Sequence, residues 1–559
     1  MSNILGRLMP RTEFESYEDF IKNYRVVIPD DFNFGFDVVD AWAELDPGKP
    51  ALWWIDDHGN EVKYSFGDIR RLSAQAAHWF TELGVGKGDF VMLLLRQRFE
   101  YWVCATALHK IGAVVIPATV QLTCKDIIYR NNLAGVSAIV ACAIPGLLAE
   151  IKQALKDSPT VKRVVCAGGS EYGWPEFNEA IAGRPDAFER PAGAAATVAS
   201  DHFLLYFTSG TTGMPKMVMH DQTYPVGHIT TAKYWQRVID GGLHLTSSDS
   251  GWAKFGWGKI YGQWICGSAI FAYDMDKFIP TRMLEIMQKY PITTYCATPT
   301  MYRFMIQEDV ASYDLSSIKN FATAGEPLNP EVFNQWMSMT GLEIKEGFGQ
   351  TESSVLLANF EWFKPKPGSM GKPSPLYDIA IADEKLNICD EGIEGQIVVR
   401  GIDRYAPPGL FKYYYRDEAL TGASMRGGCY DTGDVAWMDP DGYYWFVGRN
   451  DDIIKCSGYR IGPFEVESAL LEHEAVVECA VTAAPDPIRG QVVKATIILA
   501  RGYTPSDELA RELQNHVKRT TAPYKYPRIV EFAKELPKTL GGKIKRKEIR
   551  EEDSRNKSG

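Results

Sequence analysis

The sequence predicts an α/β protein, with a large N-terminal domain of two α/β subdomains plus a small β-subdomain and a separate C-terminal α+β domain. Three observations predict it. From Phe90 to Gly168 short apolar runs alternate with helical stretches, the same rhythm returns from Thr281 to Leu328, and a polar break at residues 448–452 precedes a hundred residues with their own pattern.

The first series reads FVMLLL, YWVCATALHKIG, AVVIPA, a polar helix, SAIVA, another helix and KRVVCAG. Continuous apolar strands of this kind are expected in parallel sheets whose two faces are covered by crossover helices. The second series runs through ITTYCATP (292–299) and a strand near Asn320 into TAGEPL. Between Gly368 and Phe446 short strands broken by Gly and Pro, among them EGQIVVRG and DGYYWFVG, suit a small β-rich subdomain. After the hydrophilic stretch Gly448, Arg449, Asn450, Asp451, Asp452 come helix EVESALLEH, strands VVECAVTA and VVKATIIL, a helix from Ser506 to Arg519 and strand RIVEF. The expected division is 1–449 and 450–559.

Composition limits the function classes. The 559 residues are 45% hydrophobic and 23% charged, which suits a globular protein of several compact units. A net charge of −11 disfavours nucleic acid and anionic lipid as partners and leaves local basic patches for small anions. The ten cysteines form no C-x-x-C pair and no H-E-x-x-H run is present, so they read as reduced thiols rather than zinc ligands. The first twenty residues lack a secretory h-region, and no run nears the roughly 18 apolar residues of a membrane span. The expected compartment is the cytoplasm, with no membrane partner.

The strongest chemical signal is TSGTTGMPK (208–216), directly after the apolar strand HFLLYF. Two glycines, four hydroxyl side chains and a lysine within nine residues offer backbone and side-chain donors and a cation to a polyanion such as triphosphate. The Walker A spacing G-x-x-x-x-G-K-[ST] fails here. Alone, the segment favours the phosphate reading over that of a flexible surface turn rich in Ser, Thr and Gly.

It is accompanied by TAGEPL (323–328), EGFGQTE (346–352), YDTGD (430–434), GRNDDIIKCSGYRIGPFEVE (448–467) and PKTLGGKIKR (537–546). With these motifs in this order the chain resembles the acyl-adenylate-forming superfamily of acyl-CoA synthetases, firefly luciferases and peptide-synthetase adenylation domains. The resemblance implies an AMP-forming acid–thiol ligase: a carboxylic acid and ATP give an acyl-adenylate, and coenzyme A takes the acyl group. ATP and CoA are then co-substrates and Mg²⁺ the cofactor.

The roles implied can be weighed against chemistry. A carboxylate attacking an α-phosphate brings two anions together, so the site needs cations and oriented donors. Lys543, after Gly541 and Gly542, is the cation expected to bridge them; a solvated surface lysine is the alternative. Thr208, Ser209, Gly210, Thr211, Thr212, Gly213 and Lys216 are expected at the phosphates. Glu352 suits Mg²⁺ and Thr351 the α-phosphate. Phe348 is expected to face adenine, with Gly325, Glu326 and Pro327 on the other wall and Glu346, Gly347, Gly349 and Gln350 completing the nucleotide set. Asp434 suits the ribose hydroxyls and Arg449 ribose or phosphate oxygens, while Asp431 reads as a turn residue.

Because the thiol needs a route that the lysine-bearing domain obstructs, the family rotates a mobile C-terminal domain, and Asp451 matches its hinge. Ser457, Gly458, Tyr459 and Arg460 then match the pantetheine path. PDPIRG (485–490), TAPYKYPR (521–528) and ATVQL (118–122) resemble the medium-chain acyl-CoA synthetase branch and point to Gln121, Arg489, Tyr524, Lys525 and Tyr526 as CoA contacts. Residues 518–550 hold eleven basic and three acidic side chains, which reads otherwise as a solvated basic face.

For the acid, Gly349 stands where acetate-specific relatives carry tryptophan, so it is expected to open the tunnel beyond two carbons. Trp235, Trp252, Lys254, Phe255, Trp257 and Cys296 come from segments that supply the acyl pocket in relatives; three indoles in 23 residues also suit a core, but the lysine among aromatics in GWAKFGWGK favours the pocket. Lys254, placed among aromatics, must snorkel, lose its proton or meet a polar group. The expected acid is medium-chain or short and branched, with a benzoate-type aromatic acid as the alternative. Carrier-protein loading, luciferase-type oxygenation and a non-catalytic nucleotide sensor are the competing functions.

Overall fold

The computed structural model describes residues 4–208, 215–456, 459–486, 489–538 and 544–556. The first series forms a seven-stranded sheet. Strands Phe90–Leu94, Val114–Pro117, Ala138–Cys142, Arg163–Ala167 and His202–Thr208 are parallel, and Lys216–Asp221 and Tyr413–Tyr414 add antiparallel at one edge. Phe90–Leu94 and Ala138–Cys142 are buried along their whole length, which explains their unbroken apolar sequences.

The second series forms a parallel sheet from strands Leu243–Thr246, Ala269–Asp274, Thr294–Ala297, Asn320–Thr323 and Ile344–Phe348. Sequence patterning left residues 1–89 without strands. There Pro50–Asp56 pairs parallel with Ala269–Asp274, and Glu61–Ser65 closes the edge as its hairpin partner. Helix Phe66–Glu82 follows, started by a capping box between Ser65 and Asp68.

The β-rich region is not a sheet apart. Leu357–Ala358 and Ser369–Pro373 carry the hydrogen-bond ladder from Ile344–Phe348 to Tyr444–Arg449, Cys429–Met438, Gly395–Arg400 and Asp378–Ala382, so thirteen strands share one path and Met425–Arg426 pairs beside it as the fourteenth.

A third sheet is built from residues 454–532 alone. It runs Tyr459–Ile461, Ile454–Cys456, Gly490–Leu499, Val476–Asp486, with Ile529–Phe532 parallel to Gly490–Leu499. Helices Pro463–Leu471 and Asp507–Thr520 pack on it, burying Val466, Leu470, Leu513 and Val517 in a core of its own. The cysteines among the described residues are all free thiols, and no described helix is long and apolar enough to cross a membrane.

The C-terminal helix Arg546–Asn556 is tied to this unit by charge. Arg546 forms a two-pronged pair with the buried carboxylate of Glu467, which also accepts from Val481 N at 2.8 Å, and Arg550 pairs with Asp452. Removing one member of a buried pair strands the other, at a cost of about 3 kcal/mol. Glu467→Ala is therefore expected to destabilise the C-terminal unit by about 3 kcal/mol in denaturant titration. Glu467→Gln, which keeps an acceptor, should cost less.

Candidate active-site cleft

A cleft of about 1070 Å³ lies between the long sheet and the C-terminal unit. Every described residue assigned to ATP from the sequence lines it: Thr208, Lys216, Gly325, Glu326, Pro327, Glu346, Gly347, Phe348, Gly349, Gln350, Thr351, Asp434 and Arg449, together with Glu352 and Asp451. From the other side come Phe464, Glu467 and residues 544–548. Ser209, Gly210, Thr211, Thr212, Gly213, Ser457, Gly458 and Lys543 lie outside the described residues.

The corner where ribose is expected is made by two antiparallel strands that place Asp434 opposite Arg449. Asp434 is buried; its Oδ2 accepts from Gln350 Nε2 and its Oδ1 lies 3.5 Å from Arg449 Nη1. Gln350 in turn donates to the carbonyl of Thr432 at 2.8 Å and accepts from the Tyr430 hydroxyl. Gln350 thus holds the aspartate rather than pointing freely at a nucleotide. Burial works against the Arg449 charge, but Asp434, Asp451 and Glu352 outweigh it and hold the guanidinium pKa above its usual value. Asp431 accepts from Gly433 N, the turn role expected of it.

The turn at Thr351 and Glu352 is fixed from behind. His220, fully buried on strand Lys216–Asp221, has Nε2 2.8 Å from the Thr351 carbonyl. Burial pushes its pKa down to about 3, so the ring is neutral, and since a carbonyl only accepts, Nε2 carries the proton. Glu352 accepts from the Tyr414 hydroxyl at 2.8 Å, and Lys216 Nζ lies 5.3 Å from the centre of that same ring. Neither His220 nor Tyr414 was singled out from the sequence; a histidine inside the apolar strand MVMHD was the available signal for the first.

Glu346 is fully buried, and burial raises its pKa well above the ordinary carboxylate range, so it enters the wall as a neutral acid. Glu326 accepts from the Thr300 hydroxyl at 2.7 Å. Gly325, at φ +102°, supplies the turn that brings this loop to the cleft.

The expected acyl residues divide. Gly347 and Gly349 point to one face because they are two residues apart in extended chain. A Cβ on Gly347 would stand 2.5 Å from Trp235 Cε2, and one on Gly349 2.4 Å from Trp257 Cη2. The two buried indoles meet edge to face with centroids 6.1 Å apart. The bare Cα of Gly349 is thus covered by Trp257, so the glycine does not by itself leave an open tunnel. Lys254 finds a polar group, donating to the Ala324 carbonyl at 2.9 Å just before the adenine-wall loop, and its charge opposes the upward push that burial gives the Cys296 thiol. Phe255 instead packs on Tyr101 and Trp102, ring centroids 4.5 and 5.2 Å away, and Trp252 is half-buried at the start of helix Ala253–Gly258.

Of the expected coenzyme A contacts among the described residues, none lines the cleft. Tyr459 and Tyr524 stack at 4.2 Å on the C-terminal unit, Lys525 pairs with Glu465, and Lys525 and Arg460 both act on Glu394, whose pKa burial raises. Tyr526 lies between Lys518 and Arg528, and Arg489 lies 4.0 Å from Asp486. Gln121 is exposed in the first layer and hydrogen-bonds none of these among the described residues.

Residues 39–415 match the family described as AMP-binding enzyme, and residues 465–543 match the AMP-binding enzyme C-terminal domain. The chain is 43% identical to "Acyl-coenzyme A synthetase ACSM3, mitochondrial" of Rattus norvegicus, over 97% of its own length and 94% of the relative's. It is 42% identical to "Acyl-coenzyme A synthetase ACSM4, mitochondrial" of Homo sapiens, over 95% and 92%. Among solved structures it resembles the anthranilate CoA ligase AuaEII in complex with anthranoyl-AMP, at TM-score 0.87 and 26% identity over 95% of this chain and 99% of that one. It also resembles a benzoate CoA ligase from Burkholderia xenovorans LB400, at TM-score 0.81 and 26% identity over 93% and 100%. The relatives' names correct the cytoplasmic expectation, since both are mitochondrial. Lack of a secretory h-region, on which that expectation rested, has no bearing on mitochondrial targeting, which uses amphipathic segments rich in arginine. A cleft lined from both sides by these motifs, and relatives matched over almost the whole chain, place it in the AMP-binding enzyme family as an AMP-forming acyl-CoA synthetase.

Proposed function

We propose that both half-reactions share this cleft, with residues 1–449 binding acid and ATP and residues 450–559 bringing first Lys543 and then the coenzyme A path. The observation that carries the reading is that Ile544, Lys545 and Arg546, directly after Lys543, line the same cleft as Thr208, Glu352 and Asp434. In the first step the carboxylate oxygen attacks the α-phosphorus, the bond to the β-phosphate oxygen breaks, and diphosphate leaves with the electron pair. Asp434, held by Gln350 and Arg449, accepts from ribose; Thr351, set by His220, donates to the α-phosphate; Lys216 serves the phosphates.

Glu352 fits Mg²⁺ as a hard carboxylate with one oxygen engaged by Tyr414. Such an ion takes one or two carboxylates plus substrate phosphate oxygens, and bound there it would neutralise phosphate charge. In the second step the C-terminal unit turns at Asp451, and the coenzyme A thiolate attacks the acyl carbonyl and expels AMP. Tyr459, Arg460, Arg489, Tyr524, Lys525, Tyr526 and Gln121 are the residues proposed along that path.

The acid proposed is medium-chain or short and branched, with Trp257 and Trp235, which cover Gly349 and Gly347, proposed as the far wall of its pocket. The likeness to anthranilate and benzoate ligases keeps an aromatic acid as the second reading.

Lys543→Ala is expected to lower acid-dependent ATP–diphosphate exchange by at least about a hundredfold, the scale of losing a preorganised charge at the transition state. Thioester formation from supplied acyl-adenylate should stay within a few-fold of the parent; equal loss in both half-reactions would refute the assignment. Trp257→Ala should shift preference toward longer acids in a panel scored by diphosphate release. Gly349→Trp alone should lose activity through collision with Trp257, and Gly349→Trp with Trp257→Gly should recover activity on acetate and propanoate.

A further inference from the structure

Most positive side chains of the cleft are already paired within the protein. Arg449 faces Asp434, Lys545 Glu548, Arg546 Glu467, Lys547 Glu551 and Arg550 Asp452. Among the described residues, the two lining cations with no carboxylate partner are Lys216 and Arg303. Lys216 belongs to the phosphate loop. Arg303 has had no role in either half-reaction.

Arg303 sits on helix Pro299–Met305, one turn beyond Thr300, whose hydroxyl bonds Glu326 of the adenine-wall loop. Residues three apart share a helix face, so Arg303 adjoins that wall. Its side chain is half-buried, and its Nε is sealed from solvent with no hydrogen-bond partner. Across the cleft its charge reaches Cys479, whose buried thiol is pushed up by burial and Glu467 and pulled down by Arg303.

A guanidinium does not release its proton in proteins, so one that reaches the cleft with its Nε sealed and unpartnered, and with no carboxylate beside it, favours an anion brought to it. Its planar fork matches two oxygens of a phosphate. The described lining holds eleven carboxylates against seven cations, so an incoming polyanion needs each cation not already engaged. We infer that Arg303 is a phosphate-binding residue of the cleft, engaging a phosphate group of ATP in the first half-reaction or of coenzyme A in the second.

The inference rests on the two-step reading above, and the test separates them. The full chain and its Arg303→Gln and Arg303→Lys variants are compared in acid-dependent ATP–diphosphate exchange and in thioester formation from supplied acyl-adenylate, with coenzyme A and dephospho-coenzyme A. Arg303→Gln is expected to raise the KM of one phosphate ligand roughly tenfold while the other stays within about twofold, with Arg303→Lys intermediate. A rise for ATP or diphosphate assigns the ATP phosphates. A rise for coenzyme A that disappears with dephospho-coenzyme A assigns its 3′-phosphate, and one that persists assigns its diphosphate. Unchanged KM values overturn the inference. So does an equal fall of kcat in both half-reactions with a lowered Tm, or failure of both variants to fold, since each makes Arg303 a structural residue. Absence of exchange in the parent protein would instead overturn the two-step reading.

Discussion

Repulsion between anions governs this molecule. A carboxylate must be pressed against a triphosphate inside a cleft whose described walls already carry more acids than bases. Each wall acid is accordingly engaged or neutral where the nucleotide is expected: Glu346 keeps its proton by burial, Asp431 is spent in a turn, Asp434 is shared between Gln350 and Arg449, and Glu352 is held by Tyr414. Oriented in this way, negative groups act as acceptors and metal ligands rather than as a diffuse repulsive field.

That orientation depends on a frame that does not yield. The loops proposed for the nucleotide follow strands Asn320–Thr323 and Ile344–Phe348, while the corner proposed for ribose belongs to Cys429–Met438 and Tyr444–Arg449, and one unbroken ladder joins them. His220 adds a cross-tie from the seven-stranded sheet to the Thr351 carbonyl, so strand Lys216–Asp221 and the turn at Thr351 and Glu352 are joined although they belong to different sheets. The C-terminal helix has its own anchor in Arg546 and Glu467, which ties it to the third sheet.

What the sequence made legible was local. Loops that hold phosphate or ribose need glycine, hydroxyls and carboxylates at close spacing, and buried parallel strands such as FVMLLL need unbroken apolar runs, so both could be read directly. What escaped depends on partners far along the chain. Pro50–Asp56 is a strand because Ala269–Asp274 is beside it, and the β-rich strands extend the second sheet because Leu357–Ala358 bridges the gap; neither has a periodic signature of its own. Gly349 was marked from the sequence, but Trp257, ninety-two positions earlier, is what a side chain there would meet. Tyr414 and Arg303 show their roles only once the cleft walls are assembled.

The pairing of Gly347 with Trp235 and of Gly349 with Trp257 also bears on how such a pocket can change over time. Each indole occupies volume that a side chain on the facing strand would require, so neither position can enlarge by single substitution without a collision. If these contacts bound the acid as proposed, a lineage drifting toward smaller acids must shrink one ring before, or together with, any growth at the facing glycine. The order of substitutions is therefore constrained, and the two sites are expected to evolve as a correlated couple.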